Sequence, residues 1–460
     1  MSDPLHSLSA VDGRYRSKTA ALSPYFSESA LIRYRVAVES RWLLFLGRSL
    51  GDSVLSFSES DRKILESLTD PLKQPESLAA EIKEIEAVTN HDVKACEYYL
   101  RKKLESSGAK DNVLSYIHFA CTSEDINNTA YAMMLRDSLK AVIVPSYKEA
   151  AKKLSRLAVS FKDQPMLART HGQSASPTTL GKEVAVFSHR IQKLLSKIEG
   201  STFGAKFNGA VGNYSAHSFA FPEKNWPELS KNFIERDLGL DFNPATTQIE
   251  NHDSLCELLD DFKRMHSVLV GLCRDVWTYV SLGYFKQKLI EGEVGSSTMP
   301  HKVNPIDFEN AEGNFGLANG LCSHLSEKLL ISRMQRDLTD STVLRSLGTA
   351  FGYSMIACAS LVKGLGKLEV NRDALDGDLR DAWEVLAEPV QTLMRAKGVV
   401  NAYEILKKET RGQMWTKENY QDLVKKSDVF DEAEKKRLLD LKPSDYVGLA
   451  VDIVQTVETC

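Results

Sequence analysis

Hydrophobic and polar positions alternate at helical spacing along most of this chain. After Ser176 and Pro177, which suit an N-cap and a first helical turn, apolar residues recur every three or four positions from Leu180 to Ile198. A second pattern begins where Ser254 and Glu257 have the spacing of a capping box, and it continues to Gly283. The spacing predicts a long helix over each segment.

Two further patterns follow a loop at 292–305. Asn304 and Pro305 supply a cap and a first turn, after which apolar residues continue on one side to Leu329. The longest pattern follows Asp340 and reaches Leu368 at nearly heptad spacing, which predicts one helix of about 25 residues and about 37 Å. We therefore predict an all-α fold in which long helices form a bundle.

Composition excludes several classes of protein. With 43% hydrophobic and 26% charged residues in 460, the chain is typical of a folded globular protein, and no apolar run approaches the ~18 residues of a membrane span. The N-terminus lacks the apolar core of a secretory signal, and seven cysteines form no CxxC pair, so we expect reduced thiols and a cytoplasmic protein. With a net charge of −4 and charges of both signs mixed along the chain, the sequence shows no basic patch of the kind that binds nucleic acid. The expected partner is a small molecule.

The loop from Gly292 to Pro305 concentrates the groups that chemistry needs. Its serines, Ser296 and Ser297, offer hydroxyls and unhindered backbone N–H groups, and Lys302 adds a positive charge. These groups favour an anion site for carboxylate or phosphate. The alternative is a solvated turn, which Ser and Thr between Gly and Pro often form.

Other polar segments interrupt the helical pattern. His171 lies beside Gly172 in a polar loop, where an imidazole can reach a ligand, although a lone histidine is often structural. Segments 89–92 and 122–125 are polar as well, and both also suit helix caps.

The segment from Arg333 to Arg345 is rich in charge. Arg336, Ser341 and Arg345 can converge on a phosphate there, with Asp337 and Asp340 holding the arginines in place. The alternative is a solvated charged turn.

Common cofactor and metal motifs are missing from the sequence. Gly364-Leu365-Gly366 lacks the third glycine of a dinucleotide fingerprint, and Leu368 follows Gly366-Lys367 where a phosphate loop needs Ser or Thr. There is no HExxH motif, no GxSxG elbow and no cluster at metal-ligand spacing. The sequence predicts neither a metal nor a cofactor.

Together these segments resemble the aspartase/fumarase superfamily and, within it, the adenylosuccinate lyases of bacterial type. Residues Gly295 to Pro305 are similar to the GSSxMPxKxNP loop of that superfamily. The narrower resemblance, which extends from about residue 10 to about residue 410, rests on segments outside the loop: Asp12–Tyr15, Thr89–Asp92, Thr122–Ser123, Arg169–Gln173, Thr246–Gln248 and Arg333–Arg345.

The resemblance implies β-elimination of fumarate from adenylosuccinate, leaving AMP, and from the earlier purine intermediate SAICAR, leaving AICAR. It implies Ser296 as general base, His171 as general acid and no cofactor. The remaining matched positions would bind substrate. They are Arg14, Tyr15, Arg336, Ser341 and Arg345 around phosphate and ribose, Asn90, His91 and Asp92 near the base, and Thr122, Ser123, Gln248, Ser297, Lys302, Asn304 and Asn310 at the succinyl end.

Residue chemistry alone leaves the base undecided. An unperturbed serine hydroxyl is a poor base, so His91 is a rival, with Ser296 then only donating a hydrogen bond to a carboxylate. Two other classes of function also stay open. They are a scaffold protein that kept the fold without activity, and another lyase of the superfamily.

For domain organisation we predict an N-terminal helical domain (1–109), a central long-helix bundle domain with the catalytic loop (110–366) and a C-terminal helical domain (367–460). The resemblance implies a homotetramer whose core is the central bundle, with three subunits completing each active site.

Overall fold

The computed structural model describes residues 4–288, 292, 299, 301–410 and 415–458. Most of these residues are helical, which confirms the prediction of an all-α fold. Within the described ranges, strands occur only as three two-stranded sheets, β1 with β2, β3 with β4 and β5 with β6. No helix among the described residues is long and apolar enough to cross a membrane.

The helices are joined by connections of very different length. In chain order they are α1 (Arg16–Thr19), α2 (Ser23–Phe26), α3 (Glu28–Leu50), α4 (Glu59–Leu68), α5 (Leu78–Thr89), α6 (Asp92–Ser106), α7 (Asp111–Ser115), α8 (Ser123–Ser138), α9 (Val144–Ser160), α10 (Leu180–Glu199), α11 (Ser215–Ala220), α12 (Trp226–Asn232), α13 (Asp253–Ser281), α14 (Ile306–Lys328), α15 (Thr339–Leu344), α16 (Leu347–Lys367), α17 (Arg372–Arg380), α18 (Ala387–Ala396), α19 (Ala402–Thr410), α20 (Lys417–Lys426), α21 (Glu432–Asp440) and α22 (Ala450–Glu458). The strands are β1 (Pro165–Thr170), β2 (Gln173–Thr179), β3 (Gly204–Ala205), β4 (Asp241–Phe242), β5 (Phe285–Gln287) and β6 (Leu368–Val370).

The predicted helix after Ser176 exists, but its predicted start is wrong. Ser176 and Pro177 lie in β2, where Pro177 pairs with Leu167 of β1. Helix α10 begins at Leu180, and the Thr179 hydroxyl accepts the N–H of Lys182 at 3.2 Å as the cap. Ser-Pro is locally compatible with either structure, so the pairing with β1 decides between them.

The capping box expected at Ser254 is also wrong, although the helix itself is confirmed as α13. Helix α13 already begins at Asp253, so Ser254 lies inside its first turn. The Ser254 hydroxyl accepts the N–H of Gly204 at 3.0 Å, and Glu257 lies 3.1 Å from the ammonium of Lys197. Both side chains serve tertiary contacts instead of the helix end.

The segment after Asp340 forms two helices where the apolar pattern predicts one. Helix α15 ends at Leu344, and α16 starts at Leu347 and continues for 21 residues. Leu368, the last predicted apolar position, belongs to β6 and pairs with Gln287. Arg345 therefore lies at a break between helices.

By its internal contacts the chain forms two compact units. Unit 1 contains Met1–Tyr147, Leu194–Ser267 and Gly313–Ala359. Its core surrounds the fully buried Trp42 of α3, whose ring lies 4.4 Å from that of Phe207 between centroids. The Trp42 indole N–H donates to the carbonyl of Phe119 at 3.1 Å. This bond holds the segment just before α8 against α3.

Unit 2 contains Lys148–Lys193, Val268–Glu312 and Ser360–Cys460. In its C-terminal part, buried residues such as Leu386, Val390 and Tyr420 form one apolar cluster with Leu167 of β1. The Tyr420 hydroxyl within this cluster donates to the carbonyl of Leu438 at 2.7 Å. The β1–β2 hairpin therefore rests on the C-terminal helices. The three predicted domains, with boundaries at Ala109 and Gly366, stay a prediction.

Candidate active site

The start of helix α8 carries two of the predicted substrate contacts, Thr122 and Ser123. The Asp125 carboxylate accepts the N–H of Thr122 at 2.8 Å, which confirms the expected pairing of these residues at a helix cap. Both Thr122 and Ser123 are half-buried. Because free N–H groups and the helix dipole favour negative charge at this end, the segment suits a carboxylate or a phosphate.

Asp125 is held by a fully buried ion pair that the sequence pattern does not reveal. The Lys206 ammonium lies 2.9 Å from the Asp125 carboxylate, and both side chains are completely buried. The same ammonium donates to the carbonyl of Gly209 at 2.9 Å, and the carboxylate also accepts the N–H of Asn208 at 3.0 Å. A buried charge needs both a counter-charge and hydrogen bonds, and this pair has both. It joins the start of α8 to the segment around 206–209.

Arg336 brings together three of the positions predicted around the substrate. Its guanidinium donates to the Gln248 side-chain carbonyl at 3.1 Å and to the Ser341 hydroxyl at 3.2 Å. It also lies 3.5 Å from the carboxylate of Glu124, the residue after Ser123. Gln248 donates in turn to the carbonyl of Ala210 at 2.8 Å. Of the three residues predicted to converge on a phosphate, Arg336 and Ser341 are in contact, whereas Arg345 contacts Glu28 and Asp92.

Glu124 is a buried carboxyl whose charge depends on pH near neutrality. Burial, together with the nearby Asp340 carboxylate, raises the pKa of Glu124 to about 7, and the positive charge of Arg336 only partly offsets this. Glu124 is 1% exposed. The strength of its ion pair with Arg336 therefore changes within the physiological pH range.

The predicted role of Asp337 and Asp340 in holding Arg336 and Arg345 is wrong. Asp337 accepts the N–H of Thr339 at 2.7 Å, which makes it a local turn residue. Both carboxylate oxygens of Asp340 are buried without a hydrogen-bond partner among the described residues. Arg336 and Arg345 pair instead with carboxylates from segments more than two hundred residues earlier in the chain, whereas Arg333 lies 3.9 Å from Asp337.

Arg345 lies between two such carboxylates. Its guanidinium is 2.6 Å from Glu28 and 3.1 Å from Asp92. Asp92 is also 2.8 Å from Arg35, whose side chain is 3% exposed. Burial opposes the charged form of Asp92, but the two arginines hold its pKa below the usual range. The predicted positions Asp92 and Arg345 are thus in direct contact.

Asn90 and His91 form the junction between α5 and α6. Asn90 ends α5 in the left-handed conformation, with φ 51°, and its side chain is exposed. His91 caps α6, because its Nδ1 atom accepts the N–H of Lys94 at 3.1 Å. An Nδ1 atom that accepts a hydrogen bond leaves the proton of a neutral imidazole on Nε2. The Nε2 atom of a neutral His91 is then a donor.

The N-terminal pair Arg14 and Tyr15 lies just before α1. The Arg14 guanidinium is 5.8 Å from the centre of the Tyr15 ring, and Arg14 is exposed. Neighbouring residues Asp12 and Arg16 line a cavity of about 720 Å³, and Arg345 lines the same cavity. The N-terminal segment and Arg345 thus border one space.

His171 occupies the tip of the β1–β2 hairpin in unit 2. Thr170 pairs with Gln173, so His171 and Gly172 form a two-residue turn with φ values of 54° and 74°. The imidazole is exposed. Arg169, at the base of the turn, is 2.6 Å from Asp378. Where we predicted a polar loop, the structure has a tight turn that fixes the histidine backbone.

The loop from Gly292 to Pro305 is described only in part. Ser296 and Ser297 lie outside the described residues. Lys302 is exposed, and its backbone N–H donates to the carbonyl of Met299 at 3.0 Å. Asn304 is half-buried just before α14, and the Asn310 side-chain carbonyl accepts the hydroxyl of Ser360 at 2.8 Å.

Sequence reasoning missed several charged groups beside the site, namely Glu28, Arg35, His118, Glu124 and Lys206. Burial opposes the charge on His118, but the Glu39 carboxylate at 2.6 Å raises its pKa to about 9. The sequence did offer one signal for the buried ion pair, because Lys206 lies between the apolar residues Ala205 and Phe207. A lysine in such a segment is buried only when its charge is paired. No group of three or more His, Cys, Asp or Glu in the described part of the chain is arranged to hold a metal ion.

Comparisons with known proteins place the chain in a class of enzymes. Residues 13–320 match the family model described as Lyase, and residues 332–447 match the one described as Adenylosuccinate lyase C-terminal. The chain belongs to the adenylosuccinate lyase family.

Similar proteins extend over nearly the whole chain. The adenylosuccinate lyase of Legionella pneumophila (strain Corby) is 50% identical over 452 residues, with 98% of each chain covered. That of Vibrio cholerae (serotype O1, strain O395) is 49% identical over 450 residues, again with 98% of each chain covered. The fold is also similar to the crystal structure of 3-carboxy-cis,cis-muconate lactonizing enzyme from Pseudomonas putida, at 20% identity and a TM-score of 0.75 over 96% of both chains.

Proposed function

We propose that this protein catalyses the β-elimination of fumarate from adenylosuccinate, giving AMP, and from SAICAR, giving AICAR, in purine nucleotide biosynthesis. The observation that carries this proposal is 50% identity to an adenylosuccinate lyase over 98% of both chains. The reaction breaks one C–H and one C–N bond of the succinyl group. The carbon-bound proton goes to a base, and the departing nitrogen takes a proton from an acid.

The charges in unit 1 suit these substrates. Each substrate carries a phosphate and two carboxylates, and unit 1 offers hydrogen-bond donors for such groups in the guanidinium groups of Arg336 and Arg345 and in the N-terminus of α8. Negative charge develops on a succinyl carboxylate during elimination, so fixed donors around it lower the barrier.

Within the reaction we propose His171 as general acid and Ser296 as general base. Ser297, Lys302, Asn304 and Asn310 would bind the dicarboxylate end. The exposed imidazole at a rigid turn supports the role of His171, because it is accessible and its backbone is fixed. For Ser296 the support is the similarity of its loop to that of the superfamily. The ammonium of Lys302 and neighbouring N–H groups would stabilise a serine alkoxide.

The cap of α6 disfavours the rival base. His91 Nδ1 accepts the N–H of Lys94, so a neutral ring has its proton on Nε2. In that tautomer Nε2 donates a hydrogen bond, and the lone pair of Nδ1 is occupied by the N–H of Lys94. We therefore propose that His91, together with Asn90 and Asp92, contacts the purine base.

Replacing Ser296 by alanine distinguishes the two bases. If the serine takes the proton, single-turnover elimination slows by a factor of about 10² or more, while the affinity for substrate changes little. Rapid-mixing absorbance gives the rate and equilibrium titration gives the affinity. Near-normal elimination with weakened binding would instead leave Ser296 as a carboxylate donor only.

The activity itself is tested by incubation with adenylosuccinate. We expect the ultraviolet absorbance to shift to that of AMP, with one fumarate released for each AMP formed. Absence of any change would favour another lyase of the superfamily, which a fumarate assay with other succinyl substrates would identify. Absence of fumarate from every such substrate would favour the scaffold alternative.

We also propose that the protein is a homotetramer whose subunits share active sites. We propose further that it is located in the cytoplasm. Three large apolar side chains on long helices are about half exposed, Val186, Trp277 and Leu317, which suits burial by further subunits. Most of the described cysteines are buried, as suits reduced thiols. A chain that sediments as a monomer and still turns over substrate would contradict the shared site.

A further inference from the structure

Arg345 carries no uncompensated positive charge in this structure. Its guanidinium contacts the carboxylates of Glu28 at 2.6 Å and Asp92 at 3.1 Å, and Asp92 also contacts Arg35 at 2.8 Å. Two arginines thus face two carboxylates. A phosphate dianion that approaches Arg345 meets a neutral group, unless one carboxylate moves away.

The two carboxylates are held very differently. Arg35, which binds Asp92, is almost fully buried and donates a second hydrogen bond to Asn127 at 2.8 Å. Removing Asp92 from that arginine would leave a buried charge unpaired, which is strongly unfavourable. Asp92 is therefore a fixed partner.

Apart from its contact with Arg345, the Glu28 side chain has only a weak partner. Its side chain is 44% exposed, as is that of Arg345. Its other cation, Lys83, is 3.9 Å away and lies closer, at 2.7 Å, to Glu86. An ion pair this exposed contributes little to stability, because water screens it and replaces it readily. Glu28 can leave Arg345 at low cost.

The pair also borders a space large enough for a ligand. Glu28 and Arg345 both line the cavity of about 720 Å³, together with the polar residues Asp12, Arg16 and Thr349. Cavities of roughly 300–1,000 Å³ are typical of small-molecule sites. A phosphate group that enters this cavity can reach the guanidinium directly.

We propose that Glu28 is an exchangeable counter-ion of Arg345. It holds the guanidinium in position while the site is empty, and it is displaced when the phosphate monoester of a nucleotide binds. This inference rests on the proposed function, since it assumes a nucleotide ligand. It makes Glu28 a residue that weakens affinity for the phosphate group and speeds release of a phosphate-bearing product.

The test compares AMP with adenosine, which lacks the phosphate. In Glu28→Gln the competing charge is gone and the side chain keeps its size, so we expect AMP to bind about two- to fivefold more tightly, the range of a half-exposed ion pair. Adenosine affinity should not change. Isothermal titration of the intact protein measures both dissociation constants, and the AMP gain should shrink as salt concentration rises.

Two further variants serve as controls. Glu59→Gln removes the same charge from an exposed pair with Lys63 on α4, and we expect no change in AMP affinity. Glu28→Asp keeps the negative charge at the start of α3 but withdraws the carboxylate by one methylene, so its AMP affinity should lie between those of the wild type and Glu28→Gln. Thermal unfolding of each variant shows whether the fold is intact.

Unchanged or weaker AMP binding in a folded Glu28→Gln would overturn the inference and make Glu28 a structural or ligand-binding residue. An equal gain for AMP and adenosine would overturn it as well, because the effect would not involve the phosphate. If the wild type binds neither AMP nor adenylosuccinate and releases no AMP, the proposed function fails, and this inference fails with it.

Discussion

Replacing His171 by asparagine is expected to slow the elimination step by a factor of about 10²–10⁴, the usual contribution of a positioned general acid. Asparagine keeps a polar side chain but has no proton to transfer near neutral pH. The backbone makes it the best choice, because residue 171 has φ 54° and Asn-Gly is the preferred pair in such a hairpin turn. The variant should therefore fold normally and retain its affinity for substrate.

The measurement is single-turnover release of AMP, with substrate affinity from equilibrium titration. His189, an exposed histidine on α10, provides the matched control, and His189→Asn should leave the rate unchanged. The thermal midpoint of His171→Asn should stay near that of the wild type. A loss of less than tenfold in the rate would remove His171 from the role of general acid.

Replacing Lys206 by methionine is expected to destabilise the protein by about 3–5 kcal/mol, because it leaves the charge of Asp125 buried without a counter-charge. Methionine has a similar length, so the loss is mainly electrostatic. Asp125 also accepts the N–H of Thr122, so its displacement should weaken substrate binding through Thr122 and Ser123. Urea unfolding gives the stability, and equilibrium titration of AMP and of fumarate gives the binding.

The double variant Lys206→Met with Asp125→Asn separates charge from packing. It restores neutrality, and the asparagine carbonyl can still accept the N–H of Thr122, so it should be more stable than Lys206→Met alone. Equal stability of the single and double variants would mean that packing, not the unpaired carboxylate, causes the loss. Wild-type stability in Lys206→Met would contradict the importance of the pair altogether.

Local patterns predicted the helices well but not their ends. The apolar spacing that predicts α10, α13 and α14 reflects one buried face, which depends only on nearby sequence. The start of α10 depends on the pairing of Pro177 with Leu167, and Ser254, expected to cap α13, instead accepts a hydrogen bond from Gly204. Such partners are distant in the chain, so the local sequence carries no signal for them.

For the candidate active site, the residues could be predicted from the sequence, but most of their contacts could not. Resemblance to a known family selected the residues, and the structure brings Gln248, Arg336 and Ser341 into contact, and likewise Asp92 and Arg345. The carboxylates that neutralise Arg336 and Arg345 were predicted wrongly, because Asp337 and Asp340 are the carboxylates nearest to them in the sequence. Glu28 is 317 residues from Arg345, and only the packing of α3 brings it there.

The sequence by itself determined the helical class, the family and the chemical groups available for elimination, since periodicity and motifs are local properties of the chain. The tertiary structure alone decided which charges meet. It placed Lys206 on Asp125, Glu124 beside Arg336 and Glu28 on Arg345, and it made a tight turn of the segment that carries His171. The physical reason is that ion pairing and burial depend on distance in space, which the order of residues does not give.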